Sequence, residues 1–346
     1  MNFYKMKDFQ ISKISILLLV FTLSIVTQLS AKELCKGRKT TIPKFGLTLL
    51  EEDCDLCGCT TSSGSSAFGD LSMSNFIGVR YIYQQYESRN GIFENSPTSD
   101  EHFNTYQIWG RVPISKNIFL NAVIPYQDLR RNFDDRSEHL NGLGDVNITG
   151  FYQFKFYKKE ENTNDNEENY AWSDTRELSN HTLNIGLGVK LPTGEFEEEL
   201  ADKVNPGFQV GTGSWDVYPI VMYGYSNNNL GVTTTIAYYF KSENKNEYKF
   251  GNQLSYSTTM YYTLLRNEKA IKPFLGLSGD VFDSIEQFGE TLVNTDGSIF
   301  NGAVGMEYAT GKILLGAKYT QPLYQDLFNG NVKSKSQIAL YLNFSI

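Results

Sequence analysis

Four cysteines near the N-terminus are the residues of this sequence best suited to chemistry. Cys54, Cys57 and Cys59 lie in the segment Cys-Asp-Leu-Cys-Gly-Cys, and Cys35 precedes them. Thiolates in Cys-x-x-Cys spacing can chelate a soft cation such as Cu(I) or Zn(II), and Gly58 permits the tight turn that chelation needs. In an oxidising compartment an even number of cysteines instead favours disulfides, here with Cys35 as a partner. The sequence leaves both interpretations open.

The rest of the chain offers no recognisable catalytic set. His102, His139 and His181 are far apart in sequence, and the nucleophile motif Gly-x-Ser-x-Gly does not occur. The segment Gly211-Thr212-Gly213 lacks the spacing and the following lysine of a phosphate-binding loop. We therefore predict that the protein is not an enzyme and holds no cofactor apart from a metal at the cysteines. An outer-membrane hydrolase, its catalytic residues assembled only by the fold, is the alternative.

Residues 1–31 have the pattern of a secretory signal peptide. Three lysines precede an apolar run at 14–26, and Ser30-Ala31 offers a cleavage site with small residues. The apolar run is too short to span a bilayer comfortably as a helix. Cleavage removes three lysines and one aspartate, which lowers the formal net charge from −8 to about −10. No basic patch remains that would suit nucleic acid, so we predict a secreted chain without a nucleic-acid partner.

A period of two in side-chain polarity recurs through the mature chain. In 336–346 the apolar side chains occupy every second position and polar or small ones the positions between, as in a strand with one apolar face. The same alternation predicts twelve strands: 76–86, 103–112, 117–126, 145–157, 181–191, 213–225, 230–241, 253–264, 271–282, 299–308, 312–320 and 336–346.

The number and length of these segments favour a transmembrane barrel over a soluble sandwich. The strands of a sandwich average about five or six residues, whereas these runs are about as long as a tilted membrane-spanning strand. Aromatic residues make up 14% of the sequence, which suits the two aromatic girdles of an outer-membrane barrel. We predict an all-β, antiparallel, up-and-down transmembrane β-barrel of about 12 strands, within a range of about 10 to 14, with both termini in the periplasm.

Charged residues within the predicted strands should face the interior of the barrel, because each would cost a few kcal/mol in lipid. We therefore predict a lumen lined by charges of both signs, with an ion-pair network between them. The candidate lumen-lining residues are Arg80, Arg111, Asp145, Lys155, Lys190, Asp216, Asp280 and Lys318. Large inward side chains such as Phe151, Tyr239 and Tyr261 should narrow the interior to a pore for small solutes or a binding cavity.

Three short motifs occur in a characteristic order. They are Gly142-Leu143-Gly144-Asp145-Val146, then Val189-Lys190-Leu191-Pro192-Thr193-Gly194, then the segment Pro206 to Asp216, which reads PGFQVGTGSWD. The order resembles the outer-membrane family named for the MetA pathway of phenol degradation, over roughly 76–346. The resemblance implies a barrel that admits small, often aromatic or hydrophobic, compounds. It defines no functional residues that could be transferred to this chain.

Together these observations predict three regions: a signal peptide at 1–31, a cysteine-containing periplasmic extension or plug at 32–74, and a barrel at 75–346. The acidic stretch 158–180 is predicted to be an insertion. We expect a monomer in the outer membrane of a Gram-negative bacterium that contacts lipid, the assembly machinery and a small solute. The predicted function is a channel or transporter without covalent chemistry; the alternative is a barrel whose cysteine segment handles metal or redox equivalents.

Overall fold

The computed structural model describes residues 75–89, 98–156, 181–200, 205–227, 229–266 and 269–346. The chain divides into two units, Met1–Thr40 and Thr41–Ile346, and all described residues belong to the second. The predicted signal peptide, the cysteine segment and the acidic insertion 158–180 lie outside the described residues and remain predictions. Within the described part of the chain, no helix has the length and apolar character needed to cross a membrane.

The secondary structure of the described residues consists of strands. In chain order they are β1 (Phe76–Arg89), β2 (Thr98–Pro113), β3 (Ile118–Asn132), β4 (Ser137–Leu143), β5 (Val146–Phe156), β6 (His181–Leu191), β7 (Asp216–Asn227), β8 (Leu230–Lys241), β9 (Tyr248–Lys249), β10 (Gln253–Tyr262), β11 (Leu264–Arg266), β12 (Lys269–Phe282), β13 (Glu286–Gln287), β14 (Glu290–Thr291), β15 (Gly297–Thr310), β16 (Ile313–Leu327) and β17 (Val332–Ser345).

These strands form a closed antiparallel barrel with twelve positions. β4 and β5 follow one another along one position, and β10 and β11 share another, while β9, β13 and β14 form a separate small sheet. Sequential strands are neighbours around the wall, and β17 pairs with β1, so that Tyr81 lies opposite Leu340 and Ile77 opposite Phe344. The predicted twelve-stranded barrel, closed by its last strand, is therefore confirmed.

The two ends of the barrel differ in their connections. One end, here called the turn end, carries the short links 114–117, 228–229, 267–268 and 311–312, and the long connection 157–180 is the exception there. The opposite end, the loop end, carries the longer connections 192–215, 242–252 and 283–296. β1 begins and β17 finishes at the turn end. This asymmetry is typical of bacterial outer-membrane barrels, in which short turns face the periplasm.

The barrel wall is apolar outside and largely polar inside. On β17, Leu340 is 48% exposed, whereas its neighbours Ala339 and Tyr341 are 1% and 3% exposed. The same alternation on the other barrel strands leaves leucine, isoleucine, valine and aromatic side chains on the outer surface. An outer surface this apolar is stable only in contact with lipid, so the alternation marks a transmembrane barrel.

Several strands extend further at the loop end than the sequence predicts. The stretch 127–144, which lies between two predicted strands, is mostly strand: β3 continues to Asn132 and pairs with β4, so that Leu129 lies opposite Leu140. The predicted loop 321–335 is likewise mostly strand, because β16 reaches Leu327 and β17 starts at Val332. Beyond the apolar belt the outward side chains become polar, and the alternation that reveals a strand in the sequence is lost.

Candidate functional site

The three motifs that carry the family resemblance meet at one buried cluster near the loop end. Asp145 joins β4 to β5, Lys190 is the penultimate residue of β6, and Asp216 begins β7. The register places Lys190 beside Asn147 on one side and Asp216 on the other. Because inward positions alternate along each strand, all three charged side chains project from the wall into the lumen. We call this set, with Gly194, Thr212 and Ser214, the motif cluster.

Lys190 is the cation at the centre of the motif cluster. Its ammonium nitrogen lies 2.8 Å from a carboxylate oxygen of Asp216 and 3.5 Å from one of Asp145. It also donates hydrogen bonds to the hydroxyls of Thr212 and Ser214. Its side chain is 2% exposed, and those of the two aspartates are 0% and 1% exposed. A buried ammonium needs partners of this kind, because an isolated charge would be strongly destabilised away from water.

Asp145 holds both ends of the long connection 192–215. One of its carboxylate oxygens accepts a hydrogen bond from the Gly194 backbone N–H at 3.0 Å. The other accepts one from the Thr212 backbone N–H at 3.0 Å and one from the Thr212 hydroxyl at 2.6 Å. Gly194 and Gly211 approach so closely that a Cβ on Gly211 would lie 2.2 Å from the Gly194 carbonyl oxygen. Glycine is therefore required where the two ends of the loop meet.

Beyond this anchor, the segment 205–214 of the loop packs against the inner wall. Phe208 is 1% exposed; its ring centroid lies 5.9 Å from that of Phe103, and the Arg131 guanidinium lies 4.5 Å from its ring. Phe208 and Val210 belong to an apolar cluster with residues of eight strands: Tyr86, Phe103, Leu129, Leu140, Phe282, Ile299, Leu327 and Val332. The segment 205–214 is thus part of the packed interior at the loop end.

A second set of contacts ties this loop to the neighbouring connection 242–252. The Glu197 carboxylate lies 2.6 Å from the Lys245 ammonium and accepts a hydrogen bond from the Asn246 side chain. Asn244 donates a hydrogen bond to the backbone carbonyl of Thr212 at 3.0 Å. The hydrogen bonds from Lys245 and Asn246 lower the pKa of Glu197. Because the ion pair is exposed, it contributes much less to holding the loop than the buried Asp145 contacts.

The turn-end half of the lumen combines aromatic and cationic side chains. The Arg111 guanidinium lies 4.0 Å from the centre of the Phe119 ring, and that of Arg80 lies 4.9 Å from the centre of the Trp109 ring. An apolar cluster lines the wall from β1 to β8: Phe76, Trp109, Phe119, Val123, Phe151, Tyr218, Ile220, Met222, Ala237 and Tyr239. Cations beside aromatic faces are held in place by the ring quadrupole.

Several of these aromatic rings lie over glycines of a neighbouring strand. A Cβ added to Gly188 would lie 2.1 Å from the Tyr218 ring, and one added to Gly186 would lie 2.6 Å from the Phe151 ring. Gly231 faces the Tyr261 ring in the same way, at 2.0 Å. These rings therefore lie along the wall, which differs from the expectation that Phe151 and Tyr261 would project inward and narrow the lumen.

The candidate lumen-lining residues occupy inward positions but are not one site. Asp145, Lys190 and Asp216 meet in the motif cluster. The other buried members are Arg80, Arg111, Asp280 and Lys318, and Lys155 lies at an inward position of β5 but is partly exposed. Asp280 accepts hydrogen bonds from Gln253, at 3.0 Å, and from Ser255. The candidate metal ligands Cys54, Cys57 and Cys59, and Cys35, lie outside the described residues. Among the described residues, no group of three or more His, Cys, Asp or Glu side chains could hold a metal ion.

Sequence reasoning missed further inward charges. Lys241, Lys272 and Glu307 lie within predicted strands at inward positions, so strict application of the alternation would have found them. The buried pair Arg131 and Glu138 lies in the part of the β3–β4 hairpin that was predicted as loop, where no such signal exists.

The fold and the inward polar lining define the class of this protein: it is an outer-membrane β-barrel. The chain belongs to the family described as "Putative MetA-pathway of phenol degradation", whose model matches residues 101–323. This confirms the resemblance, and the matched range contains all three motifs.

Comparison with solved structures finds matches at low sequence identity. The COG4313 outer membrane channel from Pseudomonas putida F1 is 15% identical, with a TM-score of 0.54 over 80% of this chain and 97% of that chain. The β-domain of the Bordetella autotransporter BrkA is 9% identical, with a TM-score of 0.45 over 79% and 100%. The CymD monoaromatic hydrocarbon channel is 8% identical, with a TM-score of 0.38 over 79% and 89%. A search of curated proteins found no match.

Proposed function

We propose that the protein is a passive outer-membrane channel for small solutes and catalyses no covalent chemistry. The observation that carries the proposal is the closed barrel with an apolar outer surface and a charged, hydrogen-bonding inner wall. A transmembrane barrel of this kind encloses a polar path across the bilayer. Membership of the MetA-pathway family and the fold shared with a Pseudomonas outer membrane channel support the same conclusion.

In this proposal the described segment 205–214 of the loop forms the constriction of the channel. This segment packs against side chains from strands all around the loop end, and the motif cluster fixes both ends of the loop. Loops that fold inward occupy part of the interior of some outer-membrane barrels, and we infer that this loop does so here. We place the loop end outside the cell and both termini in the periplasm, because short turns face the periplasm in bacterial barrels.

Conductance across a planar lipid bilayer tests the proposal directly. Purified full-length protein should insert from detergent and give discrete current steps, and proteoliposomes containing it should swell in small sugars or amino acids. Heat-denatured protein and empty vesicles are the controls. Protein that shows heat-modifiable gel mobility, and is therefore a folded barrel, yet produces neither current nor swelling would refute the channel function. Chemical crosslinking in whole cells that yields a single monomeric band would support action as a monomer.

A further inference from the structure

Four uncharged polar side chains lie next to one another on the inner wall of the barrel. They are Ser278 on β12, Asn301 on β15, Thr320 on β16 and Gln337 on β17, four strands that are neighbours in the sheet. Ser278 lies opposite Asn301, and Thr320 lies opposite Gln337. Asn301 lies opposite Pro322, two residues from Thr320, so the two pairs adjoin. We call these four residues the neutral row.

The neutral row contains hydrogen-bonding atoms that no group of the described residues satisfies. Five side-chain atoms have no partner: Oγ of Ser278, Oδ1 and Nδ2 of Asn301, Oγ1 of Thr320 and Oε1 of Gln337. All four residues are less than a tenth exposed. Buried polar atoms in native proteins are nearly always paired, with protein groups or with a bound molecule. Five unpaired atoms on four adjoining residues therefore indicate a place where the wall binds molecules from the lumen.

The chemistry of the neutral row favours an uncharged ligand with hydroxyl groups. The row offers an amide N–H₂ donor, two amide oxygens that accept, and two hydroxyls that do either, and it contains no ionisable group. A solute hydroxyl can pair with any of these atoms, because it both donates and accepts. A carboxylate only accepts and would face the amide oxygens without a bond, and a hydrocarbon would leave every atom of the row unpaired.

The nearest carboxylate along β12 is already used by the wall. Asp280, two residues from Ser278, accepts hydrogen bonds from Gln253 and Ser255. These two donors belong to β10, on the side of β12 away from β15. The Asp280 side chain is therefore held toward β10, and the row keeps its uncharged character.

The spacing of the row favours a ligand with several hydroxyls. Neighbouring strands lie about 4.8 Å apart, so the row extends roughly 14 Å across the wall. A solute with one hydroxyl pairs with one residue at a time. A sugar or polyol can pair with two or more residues together, which adds their contributions to binding.

We propose that the neutral row binds small uncharged polyhydroxylated solutes, sugars and polyols, on their way through the barrel. This rests on the proposed channel function and names its solute class. Water fills the row between solutes, because water also donates and accepts, and a solute hydroxyl replaces it without loss of hydrogen bonds.

Solute-dependent reduction of the ion current tests the proposal. Ribitol should reduce the KCl current of the wild-type channel in a saturable way. Triethylene glycol, an uncharged solute of similar size with fewer hydroxyls, should reduce it only in proportion to concentration. Asn301→Leu removes two of the five unpaired atoms and should raise the half-saturating ribitol concentration about tenfold. Thr320→Val removes one and should raise it about threefold.

Both variants should keep the heat-modifiable mobility of a folded barrel, because each replaces an unpaired buried polar group by an apolar group of similar shape. Asn141→Leu is the matched control. Asn141 is exposed on the outer face of β4, where it accepts a hydrogen bond from the Tyr126 hydroxyl. The same chemical change there should leave the half-saturating concentration unchanged.

The outcomes separate this inference from the channel function. A wild-type KCl current that ribitol and triethylene glycol reduce alike would overturn the inference, leave the channel intact and mean that the row binds water only. Unchanged ribitol saturation in Thr320→Val and in Asn301→Leu would overturn it as well, and Thr320→Val alone decides if Asn301→Leu does not fold. Absence of any KCl current would refute the channel itself and this inference with it.

Discussion

Replacement of Asp145 by alanine tests whether the motif cluster holds the long loop in the lumen. The substitution removes the carboxylate that accepts hydrogen bonds from Gly194 and Thr212, and so weakens the attachment of both ends of 192–215 to the wall. It leaves Lys190 paired with Asp216 at 2.8 Å, so the remaining cation keeps a partner. The barrel wall itself should stay intact, because the strand register does not depend on this side chain.

The expected magnitude follows from the contacts that are lost. Removing one partner of a buried charge network costs about 3–5 kcal/mol. Because Lys190 keeps Asp216, we expect the lower figure, about 3 kcal/mol for the docked loop. This corresponds to an increase of about 150-fold in the ratio of released to docked loop. Thr212→Val keeps the backbone hydrogen bond and loses only the hydroxyl contacts. It should therefore raise the ratio of released to docked loop about tenfold.

Limited proteolysis of the folded barrel with chymotrypsin measures this ratio. Phe208 is 1% exposed in the docked loop and can be cleaved only after release, whereas Phe288 is 66% exposed and serves as an internal reference. When opening and closing are fast, the cleavage rate at Phe208 follows the released population. We expect the order Asp145→Ala, then Thr212→Val, then wild type, with cleavage at Phe288 constant.

Asp296→Ala is the matched control, because this aspartate lies exposed in the connection 283–296. Chymotrypsin should cleave this variant at Phe208 at the wild-type rate. In Asp145→Ala, the cleavage rate at Phe208 could instead stay within about threefold of the wild-type rate. The Asp145 contacts would then contribute under about 1 kcal/mol, and the motif cluster would not be the anchor of the loop. Single-channel records should agree: release of the loop should produce larger or longer openings.

Three further predictions concern the wall, its assembly and the cysteines. Gly188→Val places a Cβ about 2.1 Å from the Tyr218 ring and should lower the free energy of unfolding by about 1–3 kcal/mol. Urea titration, followed by the loss of heat-modifiable mobility, measures this change. Gly150→Val is the control and should be well tolerated, because a Cβ there meets nothing within 4 Å. Deletion of Phe344–Ile346 removes the last paired positions of the closing strand. It should reduce the amount of folded barrel in outer-membrane fractions, while the protein that does assemble keeps its conductance. A normal amount in those fractions would contradict this prediction. A metal site at the cysteines predicts that wild-type protein contains copper or zinc and Cys57→Ser does not, and equal metal content by elemental analysis would end that hypothesis.

The strands of the membrane belt could be predicted from the sequence because lipid and lumen impose opposite polarity on alternate side chains. Ile338 and Leu340 face lipid, and Gln337 and Tyr341 are buried inside. The alternation of apolar and inward-facing side chains therefore identifies the strand in the sequence. The hairpin above the belt could not be predicted in this way. There, outward positions such as Arg130 and His139 are polar because they no longer contact lipid, while inward positions contain both Leu129 and Arg131. With two mixed faces, the sequence resembles a loop although the backbone remains paired.

The motif cluster shows a second limit of sequence reasoning. The alternation places Asp145, Lys190 and Asp216 on the lumen side, but contact between them depends on the register of β5, β6 and β7. Both connections between these strands, 157–180 and 192–215, are long, and a long connection does not fix the register of the strands that it joins. The sequence could therefore predict which side chains face the lumen. It could not predict the ion-pair distances or the docking of 192–215.

The three family motifs can be understood as one structural unit. The segment Gly142–Val146 supplies the first carboxylate, and the segment Val189–Gly194 supplies the cation and the first end of the loop. The segment Pro206–Asp216 supplies the other end of the loop and the second carboxylate. The packing of Phe208 in the interior requires all three motifs. A loop held at one end only would lose conformational entropy on ordering without gaining the buried contacts that offset this loss. In the proposed channel, the motif cluster therefore fixes where the lumen narrows.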